Sequence, residues 1–370
     1  MIARFCRGSR GEHAAPGPGR AGAWPHAIAA GLVGLAALVA LAGPLRADPS
    51  PPDGIFAPAV EIERLRSFDR AGKAGPRFGA LEWLGGLVIR SPSPHFGGFS
   101  GIATADHGRD LLMISDVGFW LSARLESDVA GRPMGLSGIR MATVVEQGRR
   151  LLDKRDADAE SLAVRPAPGG FEAIVGFETR HRILRFPFAV FPTGALTAVG
   201  ERLNGIPGEI ATLAYGKGLE SLASAPPGSP IAGAIVAIAE GPRRNETDSL
   251  GWIIGGPKPG RFTVALSNDF MPTDAAFLPD GDLLVLERRF TVADSLGARI
   301  RRFAAAEIVP GARLEGRILF QADLSDEIDN MEGLAVDTAE DGSTILTLIS
   351  DDNRSILQRT LLLRFRLLPE

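Results

Sequence analysis

Five times along this 370-residue chain a small or acidic residue opens a short apolar strand, a turn follows, and a second apolar run ends on a carboxylate. The units run from Ser100-Gly101-Ile102-Ala103 to Asp116, from Glu160-Ser161-Leu162-Ala163 to Glu178, and from Glu220-Ser221-Leu222-Ala223 to Glu240. Two more run from Asp274-Ala275-Ala276-Phe277 to Glu287 and from Glu332-Gly333-Leu334-Ala335 to Asp351. Their first residues stand 60, 60, 54 and 58 positions apart. Spacing that regular marks stacked or radial repeats, in which each unit buries its faces only against its neighbours.

Turn chemistry falls at one place in every unit: His107-Gly108-Arg109, Pro168-Gly169-Gly170, Pro226-Pro227-Gly228, Asp280-Gly281 and Asp341-Gly342. These are hairpin signals. The flanking runs, such as Leu111–Ser115, Ala173–Phe177 and Ile345–Ser350, are short and bounded by turns, which reads as buried strand. Further strands follow, for example Ile183–Phe186, Trp252–Ile254, Arg299–Phe303 and Leu361–Leu367. Roughly four strands per repeat predicts an all-β propeller of four-stranded blades. Five anchors give five blades, or six if the N-terminal strands complete another, and Leu81–Ile89 is expected to close the ring by pairing with Ser343–Leu367. A repetitive sandwich is the alternative.

The N-terminus has a different character. Arg4, Arg7, Arg10 and Arg20 precede an uninterrupted small and apolar stretch from Ala27 to Gly43, then Pro44-Leu45-Arg46-Ala47. This pattern predicts a secretory signal peptide over 1–47, cut near Ala47, and hence a periplasmic or secreted protein. An uncleaved anchor is the alternative, since the stretch is at the short end of a bilayer span. Residues 48–79 read as linker and edge strand and 80–370 as the propeller domain, with Gly241–Gly260 a candidate lid over its face.

Residues 1–47 carry five Arg and one Glu, a net +4, so their removal takes the formal charge from −4 to −8. An acidic domain argues against nucleic acid as a partner. The only cysteine, Cys6, lies in the targeting segment. No H-E-x-x-H zinc motif, nucleophile elbow or P-loop occurs.

In an antiparallel hairpin the start of the first strand and the end of the second share one edge. If the first strand of each unit is innermost, the carboxylates of all five units converge beside the central channel. Such a ring repels itself and requires cations or raised pKa values. Asp116, Glu160, Glu220, Asp274, Glu332 and Asp351 are the expected metal ligands, and a hard divalent ion, above all Ca²⁺, is the expected cofactor. Glu178 or Glu287 is the expected general base. Arg180 (with His181), Arg243-Arg244, Arg288-Arg289 and Arg354 follow the strand ends and supply guanidinium forks suited to an anionic small-molecule ester. Arg180, Arg288 and Arg354 are the expected charge stabilisers.

Several of these pieces carry a resemblance. Gly98-Phe99-Ser100-Gly101-Ile102, Ile114-Ser115-Asp116, Asp158-Ala159-Glu160-Ser161-Leu162-Ala163, Leu219-Glu220-Ser221-Leu222-Ala223, Pro279 to Arg288, Asn330-Met331-Glu332-Gly333-Leu334-Ala335 and Ser350-Asp351-Asp352-Asn353 resemble the bacterial phytase-like family. The resemblance runs from about Leu81 to Leu367. It implies an exported β-propeller related to calcium-dependent phytases, with an acidic face that binds Ca²⁺ and a phosphate ester. A metal-dependent phosphoesterase is therefore the leading expectation. The alternatives are a non-catalytic periplasmic propeller that binds a ligand or partner, and a lactonase or carboxylic esterase on the same scaffold.

Overall fold

The computed structural model describes residues 50–214, 218–242, 246–291 and 295–369. Its strands form five sheets, four of them hairpin-built and one made from both ends of the chain. Blade 1 consists of Phe99–Ala105, Asp110–Ser115, Phe119–Ser127 and Pro133–Thr143. Blade 2 is Ala159–Ala167, Gly170–Phe177, Arg182–Phe188 and Val199–Arg202, extended by Val145–Glu146 and Arg149–Arg150. Blade 3 is Leu219–Ser224, Ile235–Pro242, Asp248–Ile254 and Gly260–Ala265, with Arg313–Leu314 added in parallel. Blade 4 is Met271–Phe277, Leu283–Thr291, Ser295–Phe303 and Arg317–Asp323.

Blade 5 closes the ring. Asn330–Thr338, Thr344–Asp351 and Thr360–Leu367 come from the C-terminus, and Leu81–Arg90 and Glu61–Leu65 from the N-terminus. The pairing of Leu81–Arg90 with Thr360–Leu367, from Thr360 opposite Ile89 to Leu367 opposite Leu81, is the expected closure. It joins the two chain ends through backbone hydrogen bonds and leaves the propeller with five blades.

The five first strands neighbour one another in order, and blade 5 returns to blade 1, so they are the inner ring. Side chains alternate across a strand, and each blade buries both faces. In blade 1, Leu111 and Met113 pack with Leu87, Ile349 and Leu362 of blade 5, while Leu112 and Ile114 pack with Leu162, Val175 and Phe186 of blade 2. The same division recurs at each seam, with Trp252 filling the seam of blades 2 and 3, and Phe320 and Phe365 that of blades 4 and 5. Burial on both faces explains why the second strands read as continuous apolar runs.

The described residues of Gly241–Gly260 form no lid. Asp248–Ile254 within that segment is the third strand of blade 3, paired on both sides with Ile235–Pro242 and Gly260–Ala265. Among the described residues no helix is long and apolar enough to cross a membrane; residues 1–47 lie outside them, as do Arg243 and Arg244.

Candidate metal-binding face

Every inner strand carries a β-bulge near its start, and the bulge sets the site. The register slips between Phe99 and Gly101, Ala159 and Ser161, Leu219 and Ser221, Pro272 and Asp274, and Met331 and Gly333. The extra residue of each pair is therefore Ser100, Glu160, Glu220, Thr273 or Glu332. A bulged residue is released from the ladder and can be aimed at a site. On the second strand, the residues just past the partner of each pre-bulge residue are Asp116, Glu178, Glu240, Arg288 and Asp351, which form a second circle at the same end of the ring.

Three bulge carboxylates meet. Oxygens of Glu160, Glu220 and Glu332 lie within 4.8 Å of one another, and Glu160 also belongs to a second such group with Asp158 and Glu178. Glu220, Glu332, Asp158 and Asp351 are buried and Glu160 is half-buried. Burial, then the neighbouring Glu220 and Glu332, pushes Glu160 well above the usual carboxylate range. Burial, then Glu332 and Glu240, does the same to Glu220, opposed by Arg288. Burial raises Asp351 to about 8, helped by Glu332 and Asp116.

Among the described residues, Arg288 and Lys154 bring cationic groups directly to these carboxylates. Arg288 donates to Asn330 Oδ1 at 2.7 Å and its Nη2 lies 3.6 Å from both Glu240 Oε1 and Glu332 Oε1, while Asn330 donates to Glu332 Oε1 at 2.7 Å. Lys154, on the short helix Lys154–Ala157 ahead of blade 2, places Nζ 2.5 Å from Asp116 Oδ2 and 2.5 Å from Asp158 Oδ1. Asp116 Oδ1 is buried without a hydrogen-bond partner, and burial raises the group despite Lys154. An orphaned carboxylate oxygen beside clustered all-oxygen donors fits a hard divalent cation and does not fit a soft metal.

Glycine makes room for this arrangement. A Cβ on Gly98 (φ +66°) would sit 2.0 Å from Asp116 Oδ1, and one on Gly97 (φ +105°) 2.6 Å from Asp352 Oδ1. Gly98 N–H also donates to Asp352 Oδ1 at 3.1 Å, tying blade 1 to the end of blade 5.

Two expected residues lie elsewhere. Asp274 is one position past the bulge, and its side chain turns away from the ring, accepting from Leu334 N–H of the next blade at 2.7 Å and from Ala275 N–H of its own strand at 2.8 Å. Thr273 takes the bulge position and donates to Met331 O at 3.0 Å. Glu287, which pairs with Pro272, is fully buried and clamped between Arg299, at 2.5 Å, and Arg301. Both oxygens are committed to guanidiniums, which leaves Glu287 no access to a substrate. Blade 4 thus puts Thr273 and Arg288 where the repeat led to an expectation of Asp274 and Glu287.

The remaining expected residues stay at this end of the ring, at different depths. Arg180 pairs with Asp156 and is mostly exposed, in a 590 Å³ pocket with His181, Arg149, Arg182 and Arg202. Arg354 donates to Pro94 O at 2.6 Å and lies near enough to Asp116 to favour its ionised form. The site also takes in Lys154, Asp158 and Asn330, of which Asp158 and Asn330 carry a signal within the repeat, each two positions before a bulge carboxylate, Glu160 and Glu332.

Residues 94–354 match the family described as "Phytase-like: Esterase-like activity of phytase". The chain belongs to this phytase-like family. No match was found among curated proteins. Among solved structures, the phytase-like chain is similar to hydrazine synthase of Kuenenia stuttgartiensis, at 13% identity and TM-score 0.35, over 72% of this chain and 71% of that one. It is also similar to a glucose dehydrogenase at 12% identity and TM-score 0.36, over 76% and 98% of the two chains. Neither likeness is close enough to bear on function.

Proposed function

We propose that this phytase-like propeller is an exported, cation-dependent hydrolase of phosphate or related esters. The observation that carries the reading is Glu160, which belongs to two carboxylate groups at once. Glu160, Glu220 and Glu332 hold the cation at the channel mouth, with Asp116 and Asp351 at its rim. Ca²⁺ bound there would neutralise the ring, polarise an ester oxygen and lower the pKa of a water molecule.

The chain's own groups supply the rest. Glu178, grouped with Asp158 and Glu160, takes a proton from the attacking water. Arg288, already directed at Glu240 and Glu332, and Arg354, near Asp116, oppose negative charge that develops on the ester. Arg180 stands at the edge of the face with His181, Arg149 and Arg202, a cationic approach for an anionic substrate. Export follows from the Arg-rich and apolar pattern of residues 1–47.

One observation favours a second reading, a non-catalytic binding face. Lys154 and Arg288 already neutralise part of the ring. Steady-state assays with phosphomonoesters and lactones, with Ca²⁺ and with chelator, separate the readings. Ca²⁺-dependent phosphomonoester turnover that E178Q abolishes supports the hydrolase; lactone turnover moves the substrate class; binding without turnover of either supports the second reading.

A further inference from the structure

At the opposite end of the blade 5 hairpin from Glu332 and Asp351, a 480 Å³ cavity opens at the seam of blades 1 and 5. Its walls include Leu84, Leu125 and Ile345, and Arg364 reaches it from the strand Thr360–Leu367. Leu84 is the bulged residue opposite Arg364, where the register slips between Gly85 and Trp83. The bulge shapes the cavity wall where the guanidinium lies.

Arg364 is unlike its neighbours. Arg109 is paired with Asp106 and Glu340, Arg124 with Asp106 and Asp110, and Arg366 with Glu82. Arg364 is only 3% exposed, its Nη1 makes one long contact to Ser127 Oγ at 3.5 Å, and its Nε has no acceptor. Among the described residues no carboxylate lies within ion-pair distance of it. The nearest acidic influence is Asp337, which burial raises to about 7 and whose Oδ2 is engaged by Thr104. A guanidinium buried in this way is costly unless an anion completes its fork.

We infer that the cavity is a binding site for a small organic monocarboxylate, whose carboxylate completes the fork of Arg364 and whose apolar portion lies on Leu84, Leu125 and Ile345. The charge balance selects the class. Glu126, Asp128, Glu340 and Asp341 also line the cavity, and they repel a phosphate or other multiply charged anion while leaving room for a single charge at Arg364. The site is separate from the acidic face and does not depend on the esterase reading.

Calorimetric titration of the whole protein with hexanoate, benzoate and inorganic phosphate tests the assignment, with melting temperature followed in parallel. Saturable binding of hexanoate or benzoate is expected, with phosphate at least 10-fold weaker. R364M is expected to lose that binding and to melt no lower than wild type without ligand, since it removes an uncompensated charge. R364K, which keeps the charge without the fork, provides a second readout if R364M folds poorly, and its affinity is expected to fall at least 3-fold. R366Q is the control and should bind as wild type does. Absence of binding, phosphate binding as tight as hexanoate, undiminished affinity in R364M or R364K, or equal loss in R366Q would each overturn the inference.

Discussion

Arg288 Nη2 stands 3.6 Å from Glu332 Oε1, so a blade 4 cation serves the carboxylate that opens blade 5. The other second-strand ends on this face carry carboxylates. Arg288 therefore acts as an internal counter-ion, and its charged form is held by Glu332, Glu220 and Glu240 against the cost of burial. Replacing it by Met is expected to destabilise the metal-free protein by about 3–5 kcal/mol, the usual cost of leaving buried charge unpaired. Urea unfolding with and without chelator checks this: Ca²⁺ should recover most of the loss in R288M.

The carboxylates set a pH dependence with a definite sign. Asp351 lies at about 8 against an ordinary value of 3.8, and Glu160, Glu220 and Asp274 are also raised. The folded state thus holds more protons than the unfolded chain at neutral pH, and the stability from these groups, full in acid, is lost as pH rises from about 4 to about 8. Chelated protein should melt progressively lower across that window. With saturating Ca²⁺ the slope should flatten, and calorimetry in buffers of different ionisation enthalpy should show proton release on metal binding.

Blade 4 separates structural acids from ring acids. D274A leaves the buried Leu334 N–H without its acceptor, at a cost of about 1–3 kcal/mol. E287Q leaves Arg299 and Arg301 without their counter-ion and should cost about 3–5 kcal/mol. Neither should change Ca²⁺ affinity by more than about 2-fold, whereas E160Q or E220Q should lower it at least 10-fold with a smaller effect on chelated stability. Titration of each variant in its folded range reads this out.

Gly98 is a steric test of Asp116. The G98A methyl would lie 2.0 Å from Asp116 Oδ1 at a positive φ, so the carboxylate must move. Backbone strain alone costs about 1–2 kcal/mol. Ca²⁺ affinity should fall along with stability, and G131A, at a positive φ with open space around it, should lose only stability.

The propeller architecture, ring closure by the N-terminal strand and the shared end of the carboxylates were legible because the turns and apolar runs recur at nearly fixed spacing, whereas five against six blades stayed open because the N-terminal strands could complete either the fifth blade or another. The placement of Asp274 and Glu287 was not legible. Acidic residue type in blade 4 draws the alignment one position away from the bulge, and side chains alternate, so a one-residue slip turns each over to the other face. Thr273 and Arg288 hold the true positions, and neither looks like its counterparts. Lys154 was hidden for a different reason. It reaches the ring from a short helix between blades, capped by Asp153, that no repeat predicts.

The central claim is that Glu160, Glu220 and Glu332 form a cation site, and calcium calorimetry on the wild-type chain and the E160Q variant tests it most directly. The account predicts saturable binding in the wild type, a marked fall in melting temperature on chelation, and at least 10-fold weaker binding in E160Q. No saturable binding in the wild type, or equal affinity in E160Q, would contradict it and leave the ring to be balanced by Lys154, Arg288 and Arg354.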